Sequence, residues 1–182
     1  TLAILATTVI WGLSFVSSKT ILNTGFPPLT MATARFLIAS ALLLPLRLRL
    51  EPQRKLLLQR GEWLHLIFSG LFGVTLYFLC ETRGIKLTSA SNAALITASI
   101  PVMVVCVQLA VYRQKVTWFQ ILGIALSILG VYFIVRRYPA RYPQALLGDL
   151  FMFGACLSWV IYNFVSRPLQ GKLSSFALTA YQ

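Results

Sequence analysis

The chain has 182 residues, of which 58% are hydrophobic and only 11% charged, and its mean hydropathy is +0.78. That balance excludes an ordinary soluble domain and points to an all-α polytopic membrane protein. Sixteen Lys and Arg against four Asp and Glu give a net charge of +12. The bases are scattered through short segments between apolar runs, so they read as loop charges that set membrane orientation and meet anionic lipid. They do not form a nucleic-acid surface.

A helix needs about 20 mostly apolar residues to cross the hydrocarbon layer. The apolar runs predict six spans, close to residues 2–22, 28–46, 63–87, 89–112, 116–135 and 147–167, and the beginning of a seventh. The chain opens at Thr1 and stops at Gln182 inside an apolar stretch, which reads as a piece of a longer protein. The first span has no basic lead-in and no small-x-small pattern after it, so it reads as a span and not as a cleaved signal. Thr7, Trp11, Ser14 and Ser18 share one of its faces. Trp11 lies in midspan, far from the interfacial belt where Trp usually sits.

The second span carries Arg35, about 9 Å along the axis from Leu29 at 1.5 Å per residue. A charge at that depth is costly and faces a bundle interior or water. Glu81 is equally about 9 Å from the end of span three at Leu87, and the two ends lie on the same side. A buried Arg35–Glu81 pair is one reading. The other has Arg35 snorkelling outward while Glu81 pairs with Arg83 or Lys86. Glu81 shares a stripe with Gly70, Gly73, Tyr77 and Gly84, and small residues allow close helix approach. A carboxylate in this place is a candidate proton carrier. His65, beside Trp63, reads as interfacial.

Span four opens Thr88-Ser89-Ala90-Ser91-Asn92-Ala93-Ala94. Thr88 or Ser89 can cap it, and Asn92 sits one turn inside, near the positive end of the helix dipole, where a polar or anionic ligand is favoured. Pro101 predicts a kink near the middle. Span five has Gly123-x-x-x-Ser127 and Gly130, a small-residue face for packing within the protomer or for a homodimer. Span six carries Ala155, Trp159, Tyr162 and Ser166 on one face, with Asn163 beside it. Trp11 and Trp159, with their flanking hydroxyls, either glue helices together or line a cavity.

Cys80, Cys106 and Cys156 are isolated, which argues against a disulfide framework or metal site. No helical His pair with a Glu, nucleophile elbow, Walker loop or dinucleotide fingerprint occurs, so neither an enzyme nor a cofactor is expected. For orientation, Arg47, Arg49, Arg54, Lys55, Arg60, Arg113, Lys115, Arg167 and Lys172 fall on one side. Lys19, Arg83, Lys86, Arg136, Arg137 and Arg141 fall on the other. The bias places the N-terminus in the cytoplasm.

Ala6–Lys19 and Gly154–Arg167 read as two copies of one segment: Trp11 matches Trp159, and Ser18-Lys19 matches Ser166-Arg167. Leu29-Thr30 echoes Leu178-Thr179 with a one-residue slip. Five spans separate the copies, an odd number, so the second enters the membrane from the opposite side. Inverted repeats of this kind are a hallmark of secondary transporters.

With these residues in view, the chain resembles the EamA family of the drug/metabolite transporter superfamily. The resemblance rests on Trp11-Gly12-Leu13-Ser14-Phe15, Pro28-Leu29-Thr30, Ala34-Arg35-Phe36, Leu87 to Leu95, Pro101, and Gly123 to Gly130. Gly148-Asp149-Leu150, Leu157-Ser158-Trp159 and Leu178-Thr179-Ala180-Tyr181 resemble the opening of that family's second repeat. The resemblance implies a first five-helix repeat over 1–135, an inter-repeat loop over 136–146, and the start of a second, inverted repeat over 147–182, a fragment of a ten-helix transporter. It also implies a bacterial inner-membrane location and alternating access, one repeat rocking against the other, to move amino acids, metabolites or drugs, usually outward. Glu81 stands where many members carry an aromatic residue.

The expected function is a secondary transporter, an exporter of small metabolites with proton coupling through Glu81. Its small-molecule substrate would lie in a cavity along spans one, three, four and six. Trp11, Ser14, Tyr77, Asn92, Trp159 and Tyr162 are the candidate contacts, and Arg35 and Glu81 the charge element. Two alternatives are a non-transporting subunit or dimerising half-transporter, and a lipid-modifying membrane enzyme. The second would need clustered acid, base or metal residues, and four acids with one His supply few.

Overall fold

The computed structural model describes residues 2–50, 59–112, 117–135, 143–170 and 172–182. Among them every regular element is helical. Helix α1 is Leu2–Asn23 and α2 is Pro28–Leu50. The latter runs past the expected end at 46, because Arg47 and Arg49 continue its last turn, where cations meet the negative end of the helix dipole. Helix α3 is continuous through Arg60–Gly70, a π segment Leu71–Leu76, and Tyr77–Leu87. Its start is fixed by Glu62, whose carboxylate accepts the Gln59 backbone N–H at 2.8 Å.

Helix α4 comprises Ala90–Ala98 and Ile100–Tyr112. Ser89 caps it, accepting the Asn92 N–H at 3.0 Å. The kink expected at Pro101 is a break two residues earlier, at Ser99, whose hydroxyl donates to Ile96 O at 2.5 Å. Pro101 has no N–H to give to the preceding turn, so the interruption falls on that turn. Helix α5 is Trp118–Val135 and α6 is Ala145–Ser166, extended by a 3-10 turn Arg167–Leu169. Helix α7, Ser175–Tyr181, is capped by Ser174. Arg54, Lys55, Arg113, Lys115, Arg136, Arg137 and Arg141, and with them most of the expected 136–146 loop, lie outside the described residues.

Among the described residues, five stretches are long and apolar enough to cross a membrane: Leu5–Asn23, Pro28–Arg49, Gly61–Leu87, Ala90–Val111 and Ala145–Leu169. Helix α5 is apolar over a shorter stretch, Trp118–Gly130. Large apolar side chains cover the outside, as with Trp118, Leu146 and Leu37 at 72%, 75% and 66% exposure. Such a surface is at home only in lipid or against other helices. The chain is a multi-pass membrane protein.

Helices α3 and α6 form the central seam, with α1 and α4 on one flank and α2 and α7 on the other. The glycine stripe of α3 makes the seam close. A Cβ on Gly73 would stand 2.5 Å from the Tyr162 ring, and one on Gly84 would stand 2.6 Å from Met152 Sδ. The Ser158 hydroxyl donates to Phe72 O, inside the π segment, at 2.7 Å. The main core gathers Phe15, Tyr77, Ile85, Ala93, Met152 and Cys156, and Leu66, Leu169 and Leu178 form a smaller cluster at the far end.

The ends of the helices fix their directions. Lys19, near the end of α1, reaches Ile85 O and Thr88 O at the end of α3, and Thr88 donates to Asp149 at the start of α6. Helix α1 therefore ends on the side where α6 begins. On α5, a Cβ on Gly123 or Gly130 would meet nothing within 4 Å.

Candidate functional site

Equal axial depth on antiparallel α2 and α3 brings Arg35 and Glu81 together. Arg35 Nη1 lies 3.9 Å from Glu81 Oε2, with the carboxylate side chain 5% exposed and the arginine 42%. The contact is ionic without a hydrogen bond. Tyr77 donates its hydroxyl to Glu81 Oε1 at 3.1 Å, and Oε2 is buried with no hydrogen-bond partner. Four residues separate Tyr77 from Glu81, one helical turn, which is why the phenol reaches the carboxylate. The guanidinium sits 5.2 Å from the Phe78 ring centroid, a cation–π distance, and its outer part is exposed. Arg35 thus combines the pairing with part of the snorkelling expected of it, and Glu81 pairs with Arg35 and not with Arg83 or Lys86.

Behind this pair runs a wall of rings. Phe36 meets Phe78 edge-on at 4.8 Å, Phe78 meets Tyr77 at 4.8 Å, Tyr77 meets Trp159 at 5.0 Å, and Trp159 meets Tyr162 at 4.9 Å. These separations fall in the favourable range for aromatic pairs. The wall borders several cavities, and two of them are lined by Trp159. One, of about 330 Å³, lies between α2, α3, α6 and α7 and is lined by Phe36, Gly73, Phe78, Trp159 and Tyr162 among others. The other, of about 420 Å³, lies between α1, α4 and α6 and is lined by Trp11, Phe15, Thr97, Pro101 and Trp159 among others. Both volumes are within the range of small-molecule sites.

Of the eight candidate contacts, Trp11, Trp159 and Tyr162 line these cavities. Tyr77, Glu81 and Arg35 form the cluster that adjoins the ring wall without lining either cavity. Asn92 is buried at 2% exposure, with Oδ1 lacking a hydrogen bond and its backbone N–H taken by Ser89. Ser14 donates its hydroxyl to Trp11 O at 2.6 Å and lines neither cavity. The cavity expected along spans one, three, four and six is lined by α1, α4 and α6.

Several polar contacts were not foreseen. Lys19, counted as a loop charge, is 6% exposed and donates to the carbonyls of Ile85, Lys86 and Thr88 at 2.8, 2.9 and 2.6 Å. An ammonium has three donors, and all three meet the carbonyls at the end of α3, where the helix dipole is negative. On the opposite side Glu62 pairs with Lys172, and Arg47 lies 4.2 Å from the Tyr181 ring. The His65 ring donates through Nδ1 to Val165 O at 3.1 Å. These contacts link residues at least 66 positions apart, so no local pattern announces them.

The chain resembles proteins that carry the word transporter in their names. An "uncharacterized transporter" of Archaeoglobus fulgidus is 30% identical over 178 residues, covering 96% of this chain and 60% of its own length. YoaV of Bacillus subtilis, also called an uncharacterized transporter, is 29% identical over 169 residues, 91% of this chain and 56% of its own. YetK of the same organism is 24% identical over 151 residues, 81% of this chain and 45% of its own. The chain thus spans about half to three-fifths of the length of the curated relatives it matches. No solved structure matches it. The EamA-like transporter family matches residues 1–136, and the chain belongs to that family.

Proposed function

We propose that the protein to which this chain belongs is a secondary transporter of the bacterial inner membrane that exports small metabolites, amino acids or drugs by alternating access, with its N-terminus in the cytoplasm. The observation that carries this reading is the shared cavity of Trp11 and Trp159, contributed by two helices that run in opposite directions. Paired elements of opposite direction around one site are how transporters of this kind expose it to each side in turn. Trp11, Trp159 and Tyr162 supply apolar contact, and Tyr77 and Asn92 supply polar groups close by. Glu81 carries the coupling proton: it is buried, it holds one oxygen free of hydrogen bonds, and Arg35 faces that oxygen. The experiment is transport of a metabolite and drug panel by the full reading frame reconstituted in vesicles, with and without a pH gradient. Accumulation that stops when the gradient is collapsed, and that Glu81→Gln abolishes, is expected. Accumulation indifferent to the gradient rejects the proton coupling, and no transport of any compound rejects the exporter.

A further inference from the structure

Among the described residues, Trp159 is the one that lines both the α2–α7 cavity and the α1–α4 cavity. The α2–α7 cavity, of about 330 Å³, has Trp159 in its lining. The α1–α4 cavity, of about 420 Å³, has both Trp159 and Trp11 in its lining. Among the described residues, no charged side chain lines either space. The indole is held between two rings, Tyr77 at 5.0 Å and Tyr162 at 4.9 Å. Each holder is fixed in turn. The Tyr77 hydroxyl is tied to Glu81, and the Tyr162 ring occupies the space that the missing side chain of Gly73 leaves.

We propose that Trp159 is a movable partition between two halves of one binding path, and that displacing its indole joins the α2–α7 cavity to the α1–α4 cavity for a ligand bearing an uncharged apolar ring or chain. This rests on the transporter reading and deepens it. A partition needs somewhere to go, and both cavities provide it: a void of about 150 Å³ already accommodates a benzene ring, and each of these is larger. The ligand class follows from the walls, which offer rings, methyl groups and proline with a few hydroxyls and the Gln182 amide, and among the described residues no charged side chain to meet an ionic group. The Tyr77–Glu81 hydrogen bond links the partition to the charge pair, since anything that draws the Glu81 carboxylate away from the phenol loosens one of the two rings that hold the indole.

The test is chemical bridging across the partition. Ala39 lines the α2–α7 cavity and Ala94 the α1–α4 cavity. Ala39→Cys and Ala94→Cys are combined in a protein with Cys80→Ala, Cys106→Ala and Cys156→Ala, and treated with bis-maleimides of increasing length. Mass spectrometry reads the doubly reacted product. With Trp159 in place bridging is slow, and Trp159→Ala accelerates it by about tenfold or more, the change that loss of two aromatic contacts allows. Tyr77→Phe keeps the ring and loses the bond to Glu81, and it accelerates bridging by a smaller factor, about threefold. It carries the test if Trp159→Ala does not fold. Bridging as fast with Trp159 as without it overturns the proposal. So does bridging that neither variant accelerates while each cysteine alone reacts with N-ethylmaleimide. Because the assay contains no substrate, a failed partition alongside intact transport rejects only this inference. Accelerated bridging in a protein that transports nothing rejects only the transporter reading.

Discussion

Replacing Lys19 by Met tests whether a buried ammonium holds α1 to the end of α3. Methionine keeps the length and the apolar stem and removes the three donors. The bonds lost run to Ile85, Lys86 and Thr88 at 2.8, 2.9 and 2.6 Å. A hydrogen bond to a charged group contributes about 1.5–3 kcal/mol, but the three share one ammonium and one desolvation cost, so they do not add. The expected loss is about 2–4 kcal/mol, most of it from carbonyls left buried without a donor. Lys19→Arg keeps the charge but spreads it over a flat fork that fits three converging carbonyls poorly, and its loss is expected to be about half as large. The assay is reversible unfolding in mixed micelles, titrated with a denaturing detergent and followed by far-ultraviolet circular dichroism. A Met variant within about 0.5 kcal/mol of the native protein, the range of ordinary surface changes, would refute the capping role. So would an Arg variant as damaged as Met.

Gly73→Leu places a side chain where a Cβ would stand 2.5 Å from the Tyr162 ring, and overpacking should cost about 1–3 kcal/mol. Gly123→Leu on the open face of α5 should cost under about 0.5 kcal/mol, and equal losses for the two in the unfolding assay would dismiss the close approach of α3 and α6. For the charge pair, combining Arg35→Glu with Glu81→Arg should recover stability that either single change loses, with a coupling of at least about 0.5 kcal/mol. A double variant no better than the worse single one makes a direct pair untenable.

The spans were legible because each is a long apolar run, and the Arg35–Glu81 approach was legible because axial rise alone places both charges at one depth. The glycine stripe of α3 announced the seam in the same way, by a helical period. Lys19 was misread for a physical reason: a lysine near the end of an apolar run normally serves as an interfacial charge, and its partners are carbonyls 66 to 69 residues away, which carry no side-chain signature. The end of α2 was set too early because a charge-free window stops at Arg47, whereas a helix welcomes cations in its last turn. The π segment Leu71–Leu76 was invisible, since one widened turn barely disturbs the period of a long helix. Ser14 and Trp11 share a face by spacing, yet the Ser14 hydroxyl turns back to its own helix, a local competition that periodicity does not register.

The α3–α6 seam has a mechanical consequence. Tyr162 sits in the notch at Gly73, Met152 in the notch at Gly84, Ser158 grips the π segment, and Thr88 is tied to Asp149. Engaged teeth of this kind resist sliding in either direction along the helix axes, because every tooth would have to climb out of its notch together. These contacts favour movement of α3 and α6 as one block, across the repeat boundary that the sequence leads us to expect near residues 136–146. Lys19 ties α1 to the same block, so on the transporter reading relative motion would fall to α2, α4 and α7 and would not follow the expected repeat boundary.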